Sequence, residues 1–143
     1  MVHVGYDKRI RYKKFIGYKY CRHCERFADY YLAKYIYSFS LNFIPFLQIT
    51  ENRYIMCTYC ENGYVINKKE YKELKKKYKN FFNRSECSQH FDYIKQLCKG
   101  LKNDEYNVIN VYQQINKRYH VDEFEEHYVQ VIKDVLAYEY NYV

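Results

Sequence analysis

Cys21-Arg22-His23-Cys24 and Cys57-Thr58-Tyr59-Cys60 form a paired CxxC frame with 32 residues between its halves. Two cysteines three positions apart can bend round one ion. Two such knuckles supply four thiolates, the closed tetrahedral shell of a structural Zn²⁺ site. An iron centre or a redox dithiol could use the same residues, but two pairs facing each other across a β-rich insert favour zinc. The expected ligands are Cys21, Cys24, Cys57 and Cys60. Four ligands leave no open position for water or substrate, so the ion is expected to staple the chain and not to catalyse.

The insert reads as strands. Tyr30 to Phe39 is aromatic and β-favouring, with Tyr31, Ala33, Tyr35, Tyr37 and Phe39 alternating against Leu32, Lys34, Ile36 and Ser38. A bend is expected over Asn42–Pro45, because Pro45 cannot donate to a sheet ladder. A short strand over Phe46–Ile49, a turn at Glu51-Asn52 and a return over Arg53–Met56 would follow. Glu61-Asn62-Gly63 predicts another turn, and Tyr64-Val65-Ile66 a closing strand. The sum is a three- or four-stranded antiparallel ribbon.

Three segments of this half carry a resemblance to a known family: Tyr37-Ser38-Phe39-Ser40-Leu41-Asn42-Phe43-Ile44-Pro45, Tyr54-Ile55-Met56-Cys57-Thr58-Tyr59-Cys60 and Gly63-Tyr64-Val65-Ile66. With the first CxxC they resemble the small zinc-ribbon proteins common in bacteria, over roughly residues 5–66. The resemblance implies zinc on the same four cysteines and little more about function. That family often has Pro and Asn or His inside its first CxxC and Gly just after it, where this chain has Arg22, His23 and Glu25.

Residues 1–20 alternate basic and aromatic side chains and read as an extended N-terminal arm, 21–66 as the zinc ribbon and 67–143 as a helical domain. The expected fold class is therefore α+β, a small antiparallel zinc ribbon followed by a small helical bundle. In the C-terminal half, Tyr71, Leu74, Tyr78 and Phe81 recur at helical spacing over Lys68–Phe82. Ser85 is the expected cap of a second helix, with Cys87, Phe91, Ile94 and Cys98 on one face and Gly100 at its end. Asp104 would cap a third, striped by Val108, Tyr112, Ile115 and Tyr119. Asp122 with Glu125 has capping-box spacing before Phe124, Tyr128, Val131, Val135 and Tyr138.

The 143 residues hold 21 Tyr and 9 Phe but no Trp, and carry a formal charge of +7. The abundance of Tyr, Lys, Asn and Ile fits AT-rich coding better than a tyrosine-specific role. Charge is unevenly spread. Residues 1–24 carry seven Lys/Arg against Asp7, and residues 67–80 carry seven Lys against Glu70 and Glu73. Residues 101–143 carry eight acidic side chains against four basic ones. The first twenty residues lack the apolar run of a signal peptide, and no stretch is apolar enough to predict a transmembrane segment. With cysteines available for metal, a reducing cytoplasmic location is expected.

No nucleophile beside a base, no phosphate-cradling glycine loop and no defined carboxylate pair stands out, so an enzyme is not expected. Cys87 and His90, at i and i+3, could form half of a second metal site, but on an apolar helix face a free cysteine is usually a small core hydrophobe. Two functional classes are expected to compete. The first is a non-catalytic adaptor that binds another, unknown protein. The second is a nucleic-acid-binding ribbon that uses the basic arm and Lys68, Lys69, Lys72, Lys75, Lys76 and Lys79.

Overall fold

The computed structural model describes residues 4–42 and 44–139, and the side chains of that span other than those of residues 4–6 and 45–51. Four strands come first: β1 (Val4–Cys21), β2 (Arg26–Leu41), β3 (Ile44–Cys57) and β4 (Gly63–Ile66). They form one sheet in the order β1-β2-β3-β4, with β2–β3 and β3–β4 antiparallel. Four helices follow: α1 (Lys68–Lys77), α2 (Arg84–Cys98), α3 (Glu105–Tyr119) and α4 (Glu125–Asp134). A 3₁₀ turn over Asp122–Phe124 precedes α4, and a π-helical turn over Val135–Glu139 continues it. The α+β class, strands first, is the expected one.

Residues read as an arm form β1, a long strand of the sheet. The expected turn at Glu51-Asn52 is absent, and β3 runs through it. Lys34 pairs with Arg53 and Ile36 with Thr50, so Glu51 and Asn52 together oppose Tyr35 in a β-bulge. A second register shift sits beside Pro45. Phe39 pairs with Leu47 and Ser40 with Pro45, which leaves Phe46 as the extra residue. Sequence alone reads polar residues in a strand as a turn, but a bulge absorbs them without reversing the chain. The reversal lies after Leu41, at the start of the bend expected over Asn42–Pro45, where Asn42 is left-handed (φ 50°); the neighbouring Phe43 lies outside the described residues.

The chain divides into two compact units, residues 1–17 with 28–80, and residues 18–27 with 81–143. In the first, Leu32, Ala33, Ile55 and Met56 are buried in the sheet. Helix α1 packs on β3 through Tyr71, whose ring lies under the Lys34 ammonium (4.8 Å) and the Arg53 guanidinium (5.7 Å). Asn67 caps α1 by accepting the Glu70 amide at 2.7 Å. The helix ends at Lys77, short of the expected Phe82, although Tyr78 and Phe81 remain buried. Gly63, at the start of β4, allows the backbones to meet. A Cβ there would lie 1.9 Å from the Ile55 carbonyl oxygen.

In the second unit Asn83, not Ser85, caps α2, through a complete capping box with Glu86. Cys87, Phe91, Ile94 and Cys98 are buried as the periodicity predicts, and His90 joins them. Asp104 caps α3 by accepting the Asn107 amide. The Asp122/Glu125 box does not form. Asp122 opens the 3₁₀ turn instead, and neither that turn nor α4 has a side-chain cap. Tyr138 leaves the α4 stripe because the π turn rotates it onto the Tyr20 ring, stacked at 4.1 Å. Tyr18 and Phe27 pack on Phe91 at 4.9 and 4.8 Å, so the residues flanking the first CxxC belong to the helical core.

Candidate metal centre

The first CxxC spans the turn between β1 and β2, and the second the turn between β3 and β4. In each, the residue after the last cysteine is left-handed: Glu25 at φ 52° and Glu61 at φ 55°. That conformation bends the chain back so that both cysteines of a knuckle point to one side. Glycine adopts this conformation at no steric cost, whereas a glutamate there is strained.

Side-chain and backbone hydrogen bonds secure the second knuckle. The Cys57 amide donates to the Asn62 carbonyl at 2.9 Å, and the Asn62 amide group to the Cys60 carbonyl at 3.2 Å. Thr58 donates both its amide and its hydroxyl to the Asp29 carbonyl, each at 3.1 Å, which ties the turn to β2.

The Sγ atoms of Cys21, Cys24, Cys57 and Cys60 all lie within 4.8 Å of one another. Zn–S bonds of about 2.3 Å in a tetrahedron separate sulfurs by about 3.8 Å, so a small inward movement closes the four round one ion. Cys21 and Cys57 are buried, while Cys24 and Cys60 are half-buried. The cluster can therefore hold a metal, and its all-sulfur donor set suits a soft or borderline ion. Among the described residues no other group of three or more Cys, His, Asp or Glu side chains is placed to do so.

Cys87 and His90, weighed as a half-site but read as core packing for the cysteine, both lie buried on α2. His90 is 4% exposed, and its Nδ1 shares a hydrogen bond with the Tyr128 hydroxyl at 2.6 Å. Burial pushes the His90 pKa down, against the weaker pull of Glu86, and pushes that of Tyr128 up. Both favour neutral side chains in a satisfied core contact, not a cation site. Cys98 is fully buried, and burial pushes its thiol up to about 12, which leaves it unreactive.

The lysines named from the sequence separate on folding. Lys72, Lys75, Lys76 and Lys79 converge with Lys14 of β1 round an open cleft of about 430 Å³, and Lys14 Nζ donates to the Lys79 carbonyl at 3.5 Å. Lys69 is exposed but does not line the cleft, and neither does Lys68. The Lys34 pKa is lowered, first by burial and then by the neighbouring cations Arg53, Lys13, Lys75 and Lys68. Lys14, Lys34 and Arg53 were not singled out from the sequence. The signal for Lys14 was the run of basic residues in positions 1–24, which does not say what they face, and Lys34 and Arg53 lie outside that run. No protein-family model, no curated protein and no solved structure matches this chain.

Proposed function

We propose that this protein is a non-catalytic zinc-binding module in which Cys21, Cys24, Cys57 and Cys60 hold one structural Zn²⁺, and that it serves as an adaptor for another protein in the reducing cytoplasm. The observation that carries the reading is the convergence of the four Sγ atoms within 4.8 Å. Four thiolates complete the tetrahedral shell, so the ion supplies folding energy and no open coordination position. Exposed apolar side chains support an adaptor role. On α3, Tyr106 is 75% and Ile109 50% exposed, beside buried Val108 and Val111.

Elemental analysis of protein purified without added metal tests the reading. One zinc per chain is the expected result. Iron in its place would redirect the site to electron transfer, and metal-free protein with intact thiols would overturn it.

A further inference from the structure

We infer that the cleft between Lys14 of β1 and the lysine face of α1 is a binding site for the phosphate backbone of a nucleic acid. The site lies apart from the four cysteines in its residues and does not depend on which metal they hold.

Helix α1 reads KKEYKELKKK, and its geometry sorts these residues. At 100° per residue, Lys68, Lys72, Lys75 and Lys76 fall within one arc, with Tyr71 and Leu74 on the inward side, and Lys79 follows just beyond the helix end. Glu70 and Glu73 fall on a third side. Glu70 is further committed to the cap, where its Oε1 accepts from Asn67 Nδ2 at 2.7 Å. The acidic residues that dilute the charge in sequence are thus removed from the basic face in space.

Lys14 then reaches the C-terminal end of that face from the sheet. Successive lysines on the helix stand about 5–6 Å apart at Cβ, and Lys68 to Lys76 extends roughly 12 Å. None of Lys14, Lys72, Lys75, Lys76 and Lys79 forms an ion pair among the described residues. Lys13, Lys34 and Arg53 continue the positive field onto the strands. Bringing these cations together without anions costs energy that a polyanion returns on binding.

The lining decides the class of partner. Protein interfaces have an apolar, aromatic centre and are depleted in lysine. Here the described lining residues are all lysines, whose ammonium groups suit a row of phosphates. Lysine supplies point charges and not bidentate forks, so contact with the backbone and little sequence preference are expected.

Fluorescence anisotropy with a labelled, mixed-sequence single-stranded oligonucleotide and the full chain tests this. Each phosphate contact contributes about −0.7 to the slope of log K against log salt, so three or four contacts weaken binding roughly 20- to 50-fold between about 50 and 200 mM salt. Lys14→Gln/Lys72→Gln/Lys75→Gln/Lys76→Gln should flatten the slope and weaken low-salt binding at least about tenfold, as loss of most contacts requires. The matching Lys→Arg variant should retain binding, and Lys102→Gln/Lys117→Gln, on the other unit, should leave it unchanged. Circular dichroism and metal content of the same samples show whether each variant folds. If the quadruple variant does not fold, Lys76→Gln alone must lower the slope by about 0.7. Absence of binding at low salt, or a slope indifferent to the cleft variants, overturns the proposal. Displacement by polyglutamate as efficient as by oligonucleotide would assign the cleft to an acidic protein instead.

Discussion

Glu25 and Glu61 occupy the same place in the two CxxC turns, one residue beyond Cys24 and Cys60, and both are left-handed, at φ 52° and 55°. The two halves of the cysteine cluster are thus built by one local device, used twice on unrelated sequence.

A non-glycine residue in this conformation costs about 1–2 kcal/mol, and glycine recovers most of it less its greater freedom when unfolded. Glu25→Gly and Glu61→Gly should each stabilise the protein by about 0.5–1 kcal/mol, read from denaturant midpoints. Loss of stability in both variants would show that the carboxylates matter more than the backbone.

Removing the metal should divide the six cysteines into two classes. After chelation, Cys21, Cys24, Cys57 and Cys60 are expected to react with a thiol reagent, while Cys87 and Cys98, buried in the helical core, wait for unfolding. Cys57→Ser should abolish metal binding, whereas Cys98→Ser should keep full metal content and lose about 1–3 kcal/mol for a buried hydroxyl. Equal metal loss in the two variants would mean that the ligand set is wrong.

Gly63→Ala places a methyl group against the β3 backbone, 1.9 Å from the Ile55 carbonyl oxygen. The strand must move, at roughly 1–3 kcal/mol or more. Because Asn62, the preceding residue, accepts from the Cys57 amide, metal affinity should fall as well. Gly100→Ala meets open space but keeps a φ of 80°, so it should cost less and leave the metal untouched. A competition titration in which Gly63→Ala binds metal as tightly as wild type would separate β4 from the site.

His90 gives the stability a pH dependence of known sign. It faces Tyr128, Tyr119 and Phe82, with Glu86 one turn earlier, and its pKa is lowered by burial. A histidine held neutral contributes fully above its unfolded pKa of about 6.5, and that contribution is lost as pH falls toward the folded value. The slope approaches about 1.4 kcal/mol per pH unit in that window. His90→Gln keeps a partner for Tyr128 but cannot titrate, so the difference between it and wild type isolates the effect from thiolate protonation. Parallel pH curves for the two would rule this account out.

The Tyr71 ring is held under Lys34 and Arg53, yet its buried hydroxyl has no hydrogen-bond partner among the described residues. Tyr71→Phe retains the ring and removes the desolvated hydroxyl, so it should raise stability by about 1 kcal/mol. A lower thermal midpoint would indicate a partner for that oxygen.

Short-range spacing was enough to identify Cys21, Cys24, Cys57 and Cys60, the cap at Asp104 and the buried face of α2, while on α3 it found Val108 and Ile115 but took the half-buried Tyr112 and Tyr119 and missed the buried Val111. Two residues three apart share a turn, and side chains three or four apart share a helix face, whatever surrounds them. Where a cap had neighbouring competitors the reading slipped by two residues, to Ser85 in place of Asn83, since both residues can accept from an early helix amide. Long-range packing decided the rest. Glu51-Asn52 became a bulge because β2 supplied Tyr35 opposite it, and His90 became a core residue because Tyr128 supplied its hydrogen bond from α4, 38 positions away. Lys14 met α1 because the sheet carried it there, 65 positions before its acceptor Lys79. Such partners lie too far along the chain to leave a periodic signal. Their free energy exists only once the loops between them have closed.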